Sequence, residues 1–251
     1  MAAEGRAMGI LQRSSSLVQL LADRGPLTVA EVAEEIGIPR PSVYRLADAL
    51  TQTQLVETTA DGKLAVSLRW LRLSDASRAG MREWSQARVL LDRLAAGTGQ
   101  TVYLTVPRSD RAICIDWSPG RGLSVLALKP GRSLPLYAGA AGRATLAFRP
   151  EPLDNYLDDA PFPALTAATL TTCAALRADV EGTVRRGFSI SDEDVTVGIG
   201  ALGAPIFSRD QVFLGSVSLA GLAEELRSRQ DELASALLAC SVELAADTAP
   251  S

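Results

Sequence analysis

The chain has 251 residues, 47% of them hydrophobic and 22% charged, with a formal net charge of −4. That is ordinary globular composition with room for one large or two modest domains. No apolar run reaches the ~20 residues a spanning helix needs, and no basic segment followed by an apolar one opens the chain, so the expected location is the cytoplasm with no membrane partner. Histidine is absent, which removes the most frequent general base, the usual metal ligand and the Ser/His/Asp triad. Cys114, Cys173 and Cys240 lie far apart with no CxxC pair, so neither a disulfide framework nor a zinc site is expected. No cofactor or metal is expected, and an enzyme is disfavoured.

In chain order, residues 1–13 read as an untethered arm. Ser14–Ser16 followed by Leu17, Val18, Leu20 and Leu21, and closed by Gly25, read as a helix. Next comes the most informative stretch, Thr28 to Leu50. Val29, Val32, Ala33 and Ile36 fall at i, i+3, i+4 and i+7, and Val43, Leu46, Ala47 and Leu50 repeat the spacing, so two short helices each bury one stripe. Thr28 with Glu31 forms a capping box, Gly37 suits a left-handed helix end, and Pro39 and Pro41 fit only at the start of a helix. Leu55 to Val66 reads as two strands around an Ala-Asp-Gly turn. Helix, helix-turn-helix and hairpin are the order of a winged helix, with the second helix of the pair facing a DNA groove. The competing reading, a plain helical hairpin in a core, explains neither the flanking helix nor the wing.

The residues expected at DNA are Thr28, Arg40, Pro41, Ser42, Tyr44, Arg45, Gln52 and the wing's Lys63, with the Ser42 hydroxyl and the amides at the helix start on phosphate. Residues 1–74 hold eight basic and eight acidic side chains, so the negative balance belongs wholly to the rest. A neutral reading domain predicts modest affinity per subunit and dependence on a partner subunit.

From Ser67 to Ala95 the pattern is helical with a break around Ser74 to Gly80, the mark of a connector. Thr101–Val106, Arg111–Trp117 and Leu123–Leu128 read as strands. Helices are expected at Ala138–Phe148, Leu153–Leu157 and Thr172–Arg186. Three further strand-like runs then lead to a last helix, Asp231–Leu244. Mixed strands and helices imply an α+β domain with a largely antiparallel sheet. Gly139 to Ala144 resembles a phosphate loop only in its glycines, because the Gly-Lys-Ser/Thr ending is missing. An enzymatic alternative would rest on Cys114 or on Asp192, Glu193 and Asp194, the acids in what reads as a solvated turn. A third alternative is a sensor that acts through a protein partner without DNA.

Four segments carry a resemblance to a known family: AEVAEEIGIPRPSVYRLADALTQTQLV, LDRLAAGTGQTVYLTV, GRSLPLYAGAAGRATLAF, and VRRGFSISDED with GIGALGAPIF and SVSLAG. In order and spacing, residues 14–244 resemble the IclR family of bacterial transcriptional regulators. The resemblance implies a winged helix-turn-helix at 14–68, a linker at 69–82 and a GAF-like effector-binding and oligomerisation domain at 83–247. It further implies a homodimer or tetramer, with operator DNA and a small-molecule effector as partners. Position by position, the implied effector pocket is Leu123, Leu126, Ala140, Ala141, Ser191, Ala201, Ser218 and Ala220. Relatives that bind small carboxylates tend to place an acid, a cysteine and two serines where this chain has Ser191, Ala201, Ser218 and Ala220. With those polar groups largely missing, a more apolar or aromatic effector is expected. Tyr137 and Leu64 also depart from the family's usual histidine and wing aromatic.

Overall fold

The computed structural model describes residues 2–81, 84, 86–121 and 128–247, and the chain divides into two compact units, Met1–Arg82 and Glu83–Ser251. In the first unit, helices α1 (Ala2–Arg24), α2 (Val29–Glu35) and α3 (Arg40–Gln52) precede the strand pair β1 (Val56–Thr58) and β2 (Leu64–Val66) and helix α4 (Arg69–Ala79). The stripes read from the sequence meet in one core of Leu17, Leu21, Leu27, Val32, Val43, Ala47, Leu50, Val56 and Leu64. Thr28 caps α2 with Glu31 in a reciprocal box, and Gly37 takes φ +65° in the four-residue turn to α3. Leu27 and Leu64 exchange backbone hydrogen bonds of 3.0 and 2.8 Å, an isolated bridge that ties the residue before the α2 cap to the wing.

Two expectations are corrected here. The stretch expected as an arm, 1–13, is helical from Ala2 onward. Ala, Glu, Arg, Met, Leu and Gln there are strong helix formers, and two glycines do not outweigh them. The break expected at Ser74–Gly80 falls later, because α4 runs unbroken to Ala79 and α5 begins at Ala87. The Ser77 hydroxyl donates back to the Leu73 carbonyl at 3.0 Å, satisfying the serine without disturbing the helix.

The second unit opens with α5 (Ala87–Thr98), β3 (Thr101–Arg108), β4 (Arg111–Ser118), β5 (Ser133–Pro135), α6 (Gly139–Phe148), α7 (Leu153–Leu157) and α8 (Cys173–Arg186). It closes with β6 (Ser189–Asp192), β7 (Ile199–Phe207), β8 (Phe213–Leu222), α9 (Ala223–Ser228) and α10 (Gln230–Asp247). The strands form one antiparallel sheet in the order β5-β4-β3-β8-β7-β6. The short β5 and α9 were not expected, and the strand expected at Leu123–Leu128 lies outside the described residues except for Leu128.

Strand periodicity separates the sheet's two faces. Leu202, Ala204 and Ile206 of β7 and Val217 and Leu219 of β8 join Leu91 and Leu94 of α5 and Leu233, Leu237 and Leu244 of α10 in a sealed apolar layer. The alternate positions, Ala201, Gly203, Ser216, Ser218 and Ala220, are small or hydroxylic and face α6. Because those side chains are short, α6 lies directly on the sheet. Ser189 Oγ donates to the Ala140 carbonyl at 2.7 Å and Ser216 Oγ to the Ala141 carbonyl at 3.2 Å. A Cβ on Gly203 would stand 2.6 Å from the Ala140 carbonyl oxygen. Gly203→Ala is therefore expected to destabilise this unit by about 1–3 kcal/mol, measured by thermal unfolding, because backbone must move to admit one methyl group.

Candidate functional site

Of the residues expected at DNA, Arg40, Pro41, Ser42, Tyr44 and Arg45 gather on the first turns of α3, all exposed except the half-buried Ser42. Tyr44 is 58% exposed, unusual for an aromatic ring on a helix whose opposite face is core. The Arg45 guanidinium reaches back to the Ser42 hydroxyl at 3.4 Å. Helix α3 starts one residue earlier than Pro41, with Pro39 as its N-cap, and the Ser42 amide donates to the Pro39 carbonyl at 2.8 Å. That amide is thus committed within the turn, and the Ser42 hydroxyl, which accepts from Arg45, keeps its own proton to donate.

Three expected contacts sit apart from this cluster. Thr28 is consumed by its cap: its hydroxyl accepts from the Glu31 amide at 3.3 Å and donates to the Glu31 carboxylate at 2.8 Å, while its own amide donates to the same carboxylate at 2.7 Å. These hydrogen bonds hold the Glu31 carboxyl below its ordinary pKa. Gln52 ends α3, ten residues beyond Ser42 or roughly 15 Å along the axis. Lys63, in the wing turn, pairs with Asp61 at 3.2 Å. Leu64 is 5% exposed and belongs to the core, so the missing wing aromatic is replaced by a packing residue. Arg24 pairs with Glu35 at 2.8 Å, whereas among the described residues no acid pairs with Arg40 or Arg45.

In the second unit, Ala140, Ala141, Ser191, Ala201, Ser218 and Ala220 line one cavity. Its empty space, open mouth included, is about 460 Å³. Leu123 and Leu126 lie outside the described residues. Sequence reasoning missed Tyr103, Leu128, Leu134, Gly139, Val195, Thr196 and Ile199, which complete the wall. The alternation on β3 that turns Tyr103 away from the Val102 and Leu104 face was a usable signal for that residue; the loop residues Val195 and Thr196 had none.

Ser191, a polar group of the cavity wall, is tied into the fold. Ser191 donates its hydroxyl proton to Asp194, whose other carboxylate oxygen accepts the Gly139 amide at 3.1 Å. Asp194, expected in a solvated turn, is 2% exposed. It is buried because Arg143, itself 4% exposed, lies beside it, with Nε 3.5 Å from its carboxylate and Nη1 2.9 Å from Asp179. Burial pushes the Asp179 carboxyl above its ordinary pKa, against the pull of Arg143. Asp192 and Glu193 remain at the surface and share Arg227 at 2.7 Å each.

Among the described residues, no cysteine is poised as a nucleophile at this site. Cys114 lies under the cavity against Tyr103 and Leu128, and burial pushes its thiol up to about 12. Cys240, packed between α5 and α10, is pushed up to about 11 for the same reason. Thiols held protonated are poor nucleophiles. In the native protein at neutral pH, a disulfide reagent should therefore modify the exposed Cys173, and Cys114 and Cys240 should react only on unfolding. Rapid loss of three thiols would refute this. Among the described residues, no group of Cys, Asp and Glu is placed to hold a metal ion, and no helix is long and apolar enough to cross a membrane.

A winged helix with an exposed cationic turn, carried on the same chain as an antiparallel-sheet domain enclosing a cavity, defines a transcriptional regulator with an effector-binding domain. Residues 10–60 match the family model of the IclR helix-turn-helix domain, and residues 78–246 match that of the bacterial transcriptional regulator IclR C-terminal domain. The chain belongs to the IclR family of transcriptional regulators. It is 32% identical over 234 residues to the HTH-type transcriptional regulator Rv1719 of Mycobacterium tuberculosis, covering 92% of this chain and 88% of that one. With KipR of Bacillus subtilis it shares 27% identity over 224 residues, 88% of each. Among solved structures, an IclR homologue of Microbacterium hydrocarbonoxydans complexed with 4-hydroxybenzoate superimposes with a TM-score of 0.78 at 18% identity, over 95% of this chain and 98% of that one. These families and relatives are regulators, not enzymes.

Proposed function

We propose that this regulator acts in the cytoplasm as a homodimer or tetramer that reads a pseudo-palindromic operator, with an apolar or aromatic small molecule modulating its hold on DNA. The observation that carries the effector half is the cavity, whose wall is made of alanines, leucines, Ile199 and Tyr103 with a few hydroxyls. A few polar groups on apolar walls suit an aromatic or aliphatic ligand and leave a small charged one without partners. That a homologue of the same fold is complexed with 4-hydroxybenzoate supports an aromatic-sized ligand here.

The DNA half rests on the first turns of α3. Arg40 and Arg45 on phosphates or base edges, with Tyr44 between them, place α3 in the major groove. Half-sites related by a two-fold would lie about one helical turn apart, near 34 Å or a multiple of it. With Arg24 and Lys63 engaged by acids, each winged helix brings little net positive charge, so two copies acting together supply the affinity. Effector binding would shift the population of arrangements that fit this spacing. Arg45→Ala is expected to cost about 1–3 kcal/mol of binding per half-site while the fold stays intact. A mobility-shift titration on the intergenic DNA upstream of the gene checks it; equal affinity for wild type and variant would refute the assigned reading face.

A further inference from the structure

We propose that the cavity selects an uncharged ligand bearing an O–H or N–H group and rejects anions, a reading that rests on the cavity being the effector site. The geometry behind Ser191 points to this class. Ser191 lines the cavity, and its hydroxyl is hydrogen-bonded to Asp194 Oδ1. Asp194 Oδ2 accepts the Gly139 amide at 3.1 Å and has the Arg143 guanidinium beside it, with Nε at 3.5 Å, so a donor and a cation already face that side of the carboxylate. The proton in the Ser191–Asp194 bond therefore comes from the serine. A hydroxyl has one proton and two lone pairs, so Ser191 offers the cavity only lone pairs. A ligand atom that meets it must bring the hydrogen.

Charge works in the same direction. Among the described residues that line the cavity, none carries a cationic side chain. Arg143 is buried behind the wall, donating to the Ile190 carbonyl and shared between Asp179 at 2.9 Å and Asp194 at 3.5 Å, so one cation serves two carboxylates. Arg186, exposed on α8, also acts on Asp179. The Asp194 carboxylate, by contrast, stands one hydrogen bond behind the wall. It also occupies the Gly139 amide, the first of α6, which would otherwise be open to an anion. A carboxylate ligand would shed its hydration, find no cation and approach a fixed negative charge.

The test uses the full chain and two probes that differ only in this respect, 4-hydroxybenzamide and 4-hydroxybenzoate, with affinities measured by calorimetry. Wild type is expected to bind the amide at least about tenfold tighter than the acid. Asp194→Asn, which keeps the shape and removes the charge, should bring the two within about threefold. Ser191→Ala should weaken the amide by about threefold or more, and it keeps the proposal testable if Asp194→Asn does not fold. Equal or tighter binding of the acid by wild type, or binding of neither probe, overturns the proposal. Ala220→Phe, which fills the cavity, separates this from the parent reading. If it leaves binding of both probes unchanged, the cavity is not the effector site. If it abolishes both while wild type prefers the acid, only the inference about ligand class falls.

Discussion

Replacing Arg143 with methionine is expected to destabilise the sheet-containing unit by about 3–5 kcal/mol, among the largest effects available to a single substitution in this protein. The side chain is almost wholly buried and serves three groups at once: Asp179, Asp194 and the Ile190 carbonyl. Methionine fills much of the volume but leaves two carboxylates in a poorly solvated interior, with only the exposed Arg186 still acting on Asp179. Arg143→Lys should lose less, because a point charge keeps one pairing but cannot reproduce the guanidinium's fork.

The pH dependence has a definite sign. Asp179 already titrates above its ordinary value of 3.8 because burial outweighs Arg143. A carboxyl whose folded pKa is raised contributes stability that is full below the unfolded value and lost as pH climbs through the folded one. Removing Arg143 enlarges that term, so Arg143→Met should recover part of its lost stability as pH falls toward the ordinary carboxyl range. Urea unfolding of wild type and variant across mildly acidic to neutral pH measures it. An unchanged midpoint in the variant would mean that the cluster contributes nothing, and a deficit that grew on acidification would contradict the assigned charges.

Leu21→Ala is the second large effect, at about 2–5 kcal/mol, and it falls on the other unit. Leu21 is 1% exposed on α1 and packs into the core that holds α2, α3 and the wing together. Domains are stable by only about 5–15 kcal/mol, and small ones sit at the low end of that range. The variant should therefore lose operator binding by losing the winged helix itself. Arg45→Ala should lose it with the fold preserved. Amide hydrogen exchange separates the two: protection in α3 should fall sharply in Leu21→Ala and stay at the wild-type level in Arg45→Ala. Full protection of α3 in Leu21→Ala would refute the role given to that core.

The winged helix was legible from local signals. Stripes at helical spacing, the Thr28–Glu31 box, Gly37 and the prolines each act within a few residues, and all of them appear in the structure at those positions. Local signals failed where context overrides propensity. The serines and aspartate of α4 read as a break, yet Ser77 is satisfied by its own helix. Residues 1–13 read as an arm, yet their helix-forming side chains carry α1 back to Ala2. The three-residue β5 has no periodicity to detect; it exists because the edge of β4 offers backbone partners to Ser133, Leu134 and Pro135.

The cavity was legible in part, through the family resemblance. Asp194 shows the limit of that reading. In sequence it is the last of three consecutive acids, a pattern of solvated turns. In the structure it parts company with Asp192 and Glu193, which stay with Arg227 at the surface, and turns inward to Arg143, Gly139 and Ser191.

By itself, the sequence determined the two-domain plan, the helix-turn-helix and the apolar faces, because periodicity and capping are written in neighbouring residues. Only the tertiary structure decided which polar groups are committed and which still face a ligand. Charge burial and hydrogen-bond partnership depend on residues that meet across α6, α8 and the sheet. No spacing along the chain encodes the depth at which they meet.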